Sequence, residues 1–190
     1  MKEKVQNKKA AVLQAALGLL SEQGFQGSPM SQIAQRANIG VGTIYRYFSS
    51  KEDLINDLYI DVKTRLAQHT LRNYSASREV HASFLVLLRN IVDYFIENPA
   101  ELIFMEQYAN SPLITAATRE EGLRMFAPVN HLFERAKDEN LLKELPMEML
   151  STLAYGSTIS LVKFRLFGKV KLDGATIDAG VDAIWDAIKR

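Results

Sequence analysis

Periodicity is the feature that most constrains this chain. Apolar residues recur at three- and four-residue spacing along nearly all of its 190 residues, and no stretch sustains the strict alternation of a half-buried strand. The pattern predicts an all-α fold. Glycine and proline set the element boundaries. A first helix is expected from about Asn7 to Gln23, with Val12 or Leu13, Ala16, Leu17 and Leu20 inward. It ends at Gly24, which tolerates the left-handed conformation that commonly closes a helix. Ser28-Pro29 predicts the start of a second helix, because a serine hydroxyl can accept an orphan backbone N–H and proline's fixed φ suits the first helical position.

Helix two carries Ile33, Ala34 and Ala37 inward and is cut short by Asn38-Ile39-Gly40. A third helix is expected from Val41 to Phe48. Ser49-Ser50 breaks it, and Ser50 with Asp53 forms a capping-box pair for a fourth helix from Lys51 towards Leu71. Further helices are expected at about 78–97, 100–109, 113–125, 128–138, 146–167 and 175–189, with Pro99, Pro112, Pro128 and Pro146 marking starts.

Charge is distributed unevenly. Residues 1–50 hold six basic side chains against two acidic ones, while the remaining 140 hold 17 against 20. A basic amino-terminal segment on an otherwise mildly acidic chain points to a polyanionic partner. Lys2, Lys4, Lys8 and Lys9 read as a solvated arm. The apolar run that follows them is interrupted by Gln14 and Gly18 and lacks a cleavage site, so it does not read as a secretory signal. No stretch reaches about 18 uninterrupted apolar residues, the length a membrane span needs. The expected location is the cytoplasm. The chain has no cysteine, and His69, His81 and His131 lack metal-ligand spacing, so neither a metal site nor a cofactor is expected. The glycine-rich and nucleophile motifs of common enzyme classes are also missing. No catalytic residue is assigned.

The informative segment is Gly24 to Leu54, where two short helices joined by a tight turn have helix-turn-helix spacing. In helix three, Ile44 and Phe48 form a core-facing pair. Thr43 and Tyr47, with Tyr45 and Arg46 beside them, are left for an external partner. Lys51 stands near a helix start, where a cation opposes the helix dipole and an external anion would explain its placement.

This segment resembles the TetR family of bacterial transcription regulators. The resemblance rests on Ile33-Ala34-x-x-Ala37, Ile39, Gly42-Thr43-Ile44-Tyr45-x-Tyr47-Phe48 and Lys51-Glu52-x-Leu54, and it covers roughly the first 60 residues. It implies a three-helix helix-turn-helix DNA-binding domain over residues 1–50. A larger helical ligand-binding and dimerisation domain would occupy 51–190. It further implies a homodimeric repressor that binds a palindromic double-stranded operator and is released by a small effector. Thr43, Tyr45, Tyr47 and Lys51 then fall on positions that commonly contact DNA, and Ser28 falls on the helix-two cap. Val41 and Arg46 complete the candidate interface. Gly40, Asn38 and Val41 depart from the family's frequent serine, glycine and polar or basic residues.

Beyond residue 80 aromatic and sulfur-containing side chains concentrate, as in an adaptable apolar ligand cavity. Phe84, Phe104, Tyr108, Phe126, Phe133 and Tyr155 are candidate walls for an apolar or aromatic effector, with His131 or Gln107 to orient a polar end. The last two predicted helices are candidates for the dimer interface. Ala154, Ser157 or Thr158, and Leu161 line one face of the first, and Ala179, Ala183 and Ala187 line a small-residue face of the second. The competing reading is a helical ligand- or partner-binding module that has lost operator recognition. An all-helical enzyme is disfavoured by the missing motifs.

Overall fold

The computed structural model describes residues 2–168 and 172–190, with side chains described from Asn7 onward. Among them ten α-helices account for nearly all regular structure: α1 (Lys2–Gln23), α2 (Met30–Arg36), α3 (Val41–Ile44), α4 (Lys51–Thr70), α5 (Val80–Glu97), α6 (Pro99–Tyr108), α7 (Ala116–Arg124), α8 (Ala127–Asp138), α9 (Met147–Phe167) and α10 (Gly174–Ile188). A single antiparallel bridge joins Leu142 to Lys189. The all-α expectation holds, and helices four to ten fall close to their predicted ranges.

Two differences concern the amino-terminal helices. The first helix begins at Lys2, not near Asn7. The third ends at Ile44; Arg46 and Tyr47 then bond to Thr43 and Ile44 in the tighter three-residue pattern. Glycine at positions 40 and 42 and aromatic Tyr45 and Tyr47 supply little intrinsic helix preference, so only one regular turn forms. The side chains of Lys2 and Lys4 lie outside the described residues.

Helix ends follow local chemistry. Gly24 adopts a φ of 69° and its N–H bonds to the Leu20 carbonyl, closing α1. Asn38, at φ 53°, closes α2 in a Schellman motif: its N–H bonds to Gln35 and that of Ile39 to Ala34. Gly40 is extended (φ −68°, ψ 146°), a conformation that does not require glycine. Ser50 Oγ accepts from Asp53 N at 3.0 Å, while the Asp53 carboxylate accepts from Ser49 N at 2.9 Å. The Glu79 side chain accepts from His81 N and Ala82 N at the start of α5, which holds its carboxyl below the usual glutamate range. Thr115 Oγ1 accepts from Thr118 N at 3.1 Å, so α7 is opened by Thr115 and Pro112 sits in the turn before it.

The chain packs as two compact units that are not contiguous in sequence. One comprises residues 1–64 and 100–122, the other 65–99 and 123–190. The core of the first contains Val12, Ala16, Leu20, Ile33, Ile44, Phe48, Leu54 and Leu58, all essentially inaccessible to solvent. Asn56 of α4 ties the 113–115 segment into this unit. Its Nδ2 donates to the Leu113 carbonyl at 2.8 Å and its Oδ1 accepts from Thr115 N at 3.0 Å. Arg119 gathers the carbonyls of Ala109, Ser111 and Ile114. In the second unit α5 packs against α8, α9 and α10. Phe84 meets Phe133 edge-on at 4.7 Å and Trp185 at 5.0 Å. Arg89 binds Asp93 and Asp178, tying α5 to α10.

Candidate nucleic-acid interface

The sequence places two chemically different faces on the turn that ends helix-turn-helix, and the fold separates them. Ile44 and Phe48 are fully buried. Val41, Tyr45 and Arg46 are exposed, and Thr43 and Tyr47 are partly exposed. The predicted division into a packing face and a free face is therefore realised, although over one helical turn and a following 3₁₀-like turn.

Ser28 is placed differently from expectation. It is fully buried, and its Oγ donates to the Gly24 carbonyl at 2.8 Å instead of accepting from α2, whose start has no side-chain cap. A serine hydroxyl rotates freely and can donate as well as accept, and here it donates to a carbonyl just past the end of α1. Buried in this way, Ser28 presents nothing to an external partner.

Lys51 also departs from its predicted role. Its Nζ donates to the Phe25 carbonyl and lies 4.0 Å from the centroid of the Phe25 ring. Partial burial pushes this ammonium below the ordinary lysine range, with Glu52 pulling weakly the other way. A carbonyl dipole and a ring face of the same chain engage it, using one of the three donors of the ammonium.

Several other cations of the amino-terminal segment are engaged internally. Lys9 pairs with Asp57 at 2.6 Å and lies over the Phe48 ring. Arg36 makes two 2.8 Å bonds to Glu22, which hold the Glu22 carboxyl below its usual range. A count of charges could not reveal these pairings, because the partners are 48 and 14 residues apart. Arg46 and Lys8 are exposed. From Gln23 to Lys51 the sequence contains no acidic residue, so α2, α3 and the turn between them contribute no carboxylate.

The effector candidates are distributed between the two units. Phe104, Gln107 and Tyr108 belong to the first; Phe84, Phe126, His131, Phe133 and Tyr155 belong to the second. Phe84 and Phe133 touch, as do Phe104 and Tyr108 at 5.1 Å, and all four are buried. Phe126 is half-buried. Gln107, His131 and Tyr155 are exposed, so none of the three serves as an interior group in this conformation.

Of the interface candidates, Ser157, Ala179, Ala183 and Ala187 are exposed, whereas Leu161 is half-buried against Gly180. Ala154 is buried within its own chain, which removes it from an outer face. The sequence did not single out Met149, Leu153, Phe164 and Phe167 of α9, which are exposed. They recur with Gly156 and Ser160 at three- and four-residue spacing and so form one stripe along the helix.

A helix-turn-helix whose own segment has no acidic residue, followed by further helices, is the architecture of a DNA-binding regulator. Two family descriptions match the chain. The first, bacterial regulatory proteins of the tetR family, covers residues 12–58; the second, the tetracyclin repressor-like carboxyl-terminal domain, covers residues 80–189. The chain belongs to the TetR family of transcription regulators. It is 23% identical over 172 residues to an uncharacterized HTH-type transcriptional regulator of Haemophilus influenzae, covering 90% of each chain. It is 30% identical over 142 residues to the regulator BetI of Burkholderia cenocepacia, covering 72% of this chain and 73% of that one. The structure of a TetR family protein from Vibrio parahaemolyticus superposes with a TM-score of 0.81 at 31% identity, over 96% of this chain and 99% of that one. A TetR family regulator from Marinobacter aquaeolei shares the fold with a TM-score of 0.93 at 21% identity, over 100% and 99% of the two chains. No helix among the described residues is long and apolar enough to cross a membrane.

Proposed function

We propose that the chain is a cytoplasmic, homodimeric repressor that binds a palindromic operator through α2 and α3 and is released by a small apolar or aromatic ligand. The observation that carries the DNA-binding part is the outward face of residues 41–47, where Val41, Tyr45 and Arg46 are exposed beside Thr43 and Tyr47 over a segment free of acidic residues. Val41, Thr43 and Tyr45 face the bases in this reading. Arg46 and the Tyr47 hydroxyl contact phosphate, and Lys51 holds α4 to Phe25. Residues 1–50 bind DNA; the remainder senses the effector and dimerises.

Dimerisation uses the outer face of α9 and α10. The exposed Ala179, Ala183 and Ala187 let another helix approach closely, while Leu153, Phe164 and Phe167 supply apolar area that a free monomer would leave in water. Two copies then set the separation of their α3 segments, which must be near one helical turn of DNA, about 34–36 Å, or a multiple of it. An effector that enters among the aromatic side chains and prefers a different separation weakens operator binding without any chemical step.

The direct test is the salt dependence of duplex binding. Removing one side chain that neutralises a phosphate lowers the steepness of the log–log plot by about 0.9. Arg46→Ala is expected to flatten the slope, whereas Tyr47→Ala, which removes an uncharged hydroxyl, is expected to leave the slope unchanged; both should weaken binding similarly across sequences. An unchanged slope in Arg46→Ala together with unchanged affinity in Tyr47→Ala would refute these phosphate contacts. No binding to any duplex by the folded wild type would favour the helical ligand- or partner-binding module instead.

A further inference from the structure

In the unit formed by residues 1–64 and 100–122, the exposed large hydrophobic side chains among the described residues are Val41, 45% exposed, and Tyr45, 53% exposed. They are four residues apart on one turn, which makes them neighbours on a single face. Gly40 and Gly42 flank Val41. A Cβ at Gly42 would meet nothing within 4 Å, and one at Gly40 would meet only Thr43 Oγ1 at 3.8 Å. Neither glycine has a left-handed backbone, so neither is required by conformation or by the packing of its own chain. Within α3, glycine at position 42 is disfavoured relative to alanine. What the two glycines provide is a bare backbone on either side of one projecting apolar side chain, and that suits close approach to another molecular surface.

The chemistry of residues 40–45 narrows what that surface offers. The segment Gly40-Val41-Gly42-Thr43-Ile44-Tyr45 contains no Arg, Lys, Asn, Gln, Asp or Glu. It therefore lacks the side chains that read guanine or adenine through paired hydrogen bonds. In the major groove, the apolar feature that distinguishes one base pair from another is the C5-methyl group of thymine.

We propose that Val41 and Tyr45 are specificity-determining residues that read thymine C5-methyl groups, so that each operator half-site carries thymines beneath α3. The proposal rests on the DNA-binding reading above and adds to it the chemical basis of sequence preference. Thr43 has one hydroxyl oxygen, which can donate and accept but lacks the two-atom fork that Arg, Asn and Gln use for paired readout. Methyl readout also fits the short α3, because apolar contact is less demanding of side-chain geometry than a bidentate pair.

The test uses the full-length chain. Duplexes are selected from a random library, and the half-site thymines of the winning sequence are then replaced one at a time by deoxyuridine. That exchange removes the methyl and leaves every hydrogen-bonding group in place. One methyl's burial corresponds to about a fourfold change in affinity. A loss of this size is expected at one or two positions per half-site. In Val41→Ala, an exposed substitution, the loss at one of those positions is expected to disappear. Selected half-sites without thymine under α3, or deoxyuridine duplexes bound as tightly as the parent, would overturn methyl readout while leaving DNA binding intact. A selection that enriches no duplex would overturn both readings.

Discussion

Asn56→Ala is expected to loosen the unit that carries α2 and α3. The Asn56 amide satisfies two backbone groups of the 113–115 segment, at 2.8 Å to Leu113 O and 3.0 Å from Thr115 N. Its third bond, to Glu52 O, lies within α4. Removing two tertiary hydrogen bonds costs about 0.5–1.5 kcal/mol each. Alanine returns about 0.5 kcal/mol through better helix propensity. The net loss is therefore about 0.5–2.5 kcal/mol, and for a chain of this length each kcal/mol moves Tm by about 2–4 °C. Thermal unfolding followed by far-UV circular dichroism should show a fall of several degrees. Asn56→Asp sharpens the test. At neutral pH it sets a carboxylate against the carbonyls of Leu113 and Glu52, so its deficit should exceed that of alanine. The excess should shrink as the pH falls and the protonated acid can donate. An unchanged or raised Tm for Asn56→Ala would refute the claim that this amide pins residues 113–115 to α4.

Two further predictions concern other parts of the chain. Burial pushes the Lys63 ammonium down to about 8 from an ordinary value of 10.5. Between these values the unfolded chain holds a proton that the folded chain has released, so the Lys63 contribution to stability should rise with pH. Chemical denaturation near the two ends of that window should show this increment in wild type relative to Lys63→Met, and equal pH dependence in both proteins would contradict it. Ala183→Glu should abolish dimerisation and operator binding while leaving helix content unchanged, because a two-fold interface would set the new carboxylate near its own symmetry mate in a desolvated site. A dimer that persists in light scattering would place the interface elsewhere.

The sequence was most legible where local chemistry decides structure. Gly24 and Asn38 act through their own backbone preferences and close the helices where expected. Ile44 and Phe48 were identifiable as core because helical spacing opposes them to exposed neighbours. The outward small-residue face of α10 was visible for the same reason. What could not be read depends on partners distant in the chain. Lys51 and Phe25 are 26 residues apart, and Asn56 and Leu113 are 57 apart. Ser28 shows a subtler limit: its position before Pro29 predicts a cap on α2, but a hydroxyl both donates and accepts, and it bonds instead to the Gly24 carbonyl. Ala154 was assigned outward by spacing, yet α9 buries Leu150, Ala154 and Thr158 together. A helix with apolar residues on most of its faces does not announce which face is covered by its own chain.

In the proposed arrangement two copies of this chain grip an inverted repeat. Sedimentation of the full-length protein on a duplex selected from a random library tests it most directly, because symmetry of the sequence and stoichiometry of the complex are read together. Half-sites whose centres lie about 10–10.5 base pairs apart, or a multiple of that, bound by an even number of chains, are the expected result. A single unrepeated site occupied by one chain would contradict it.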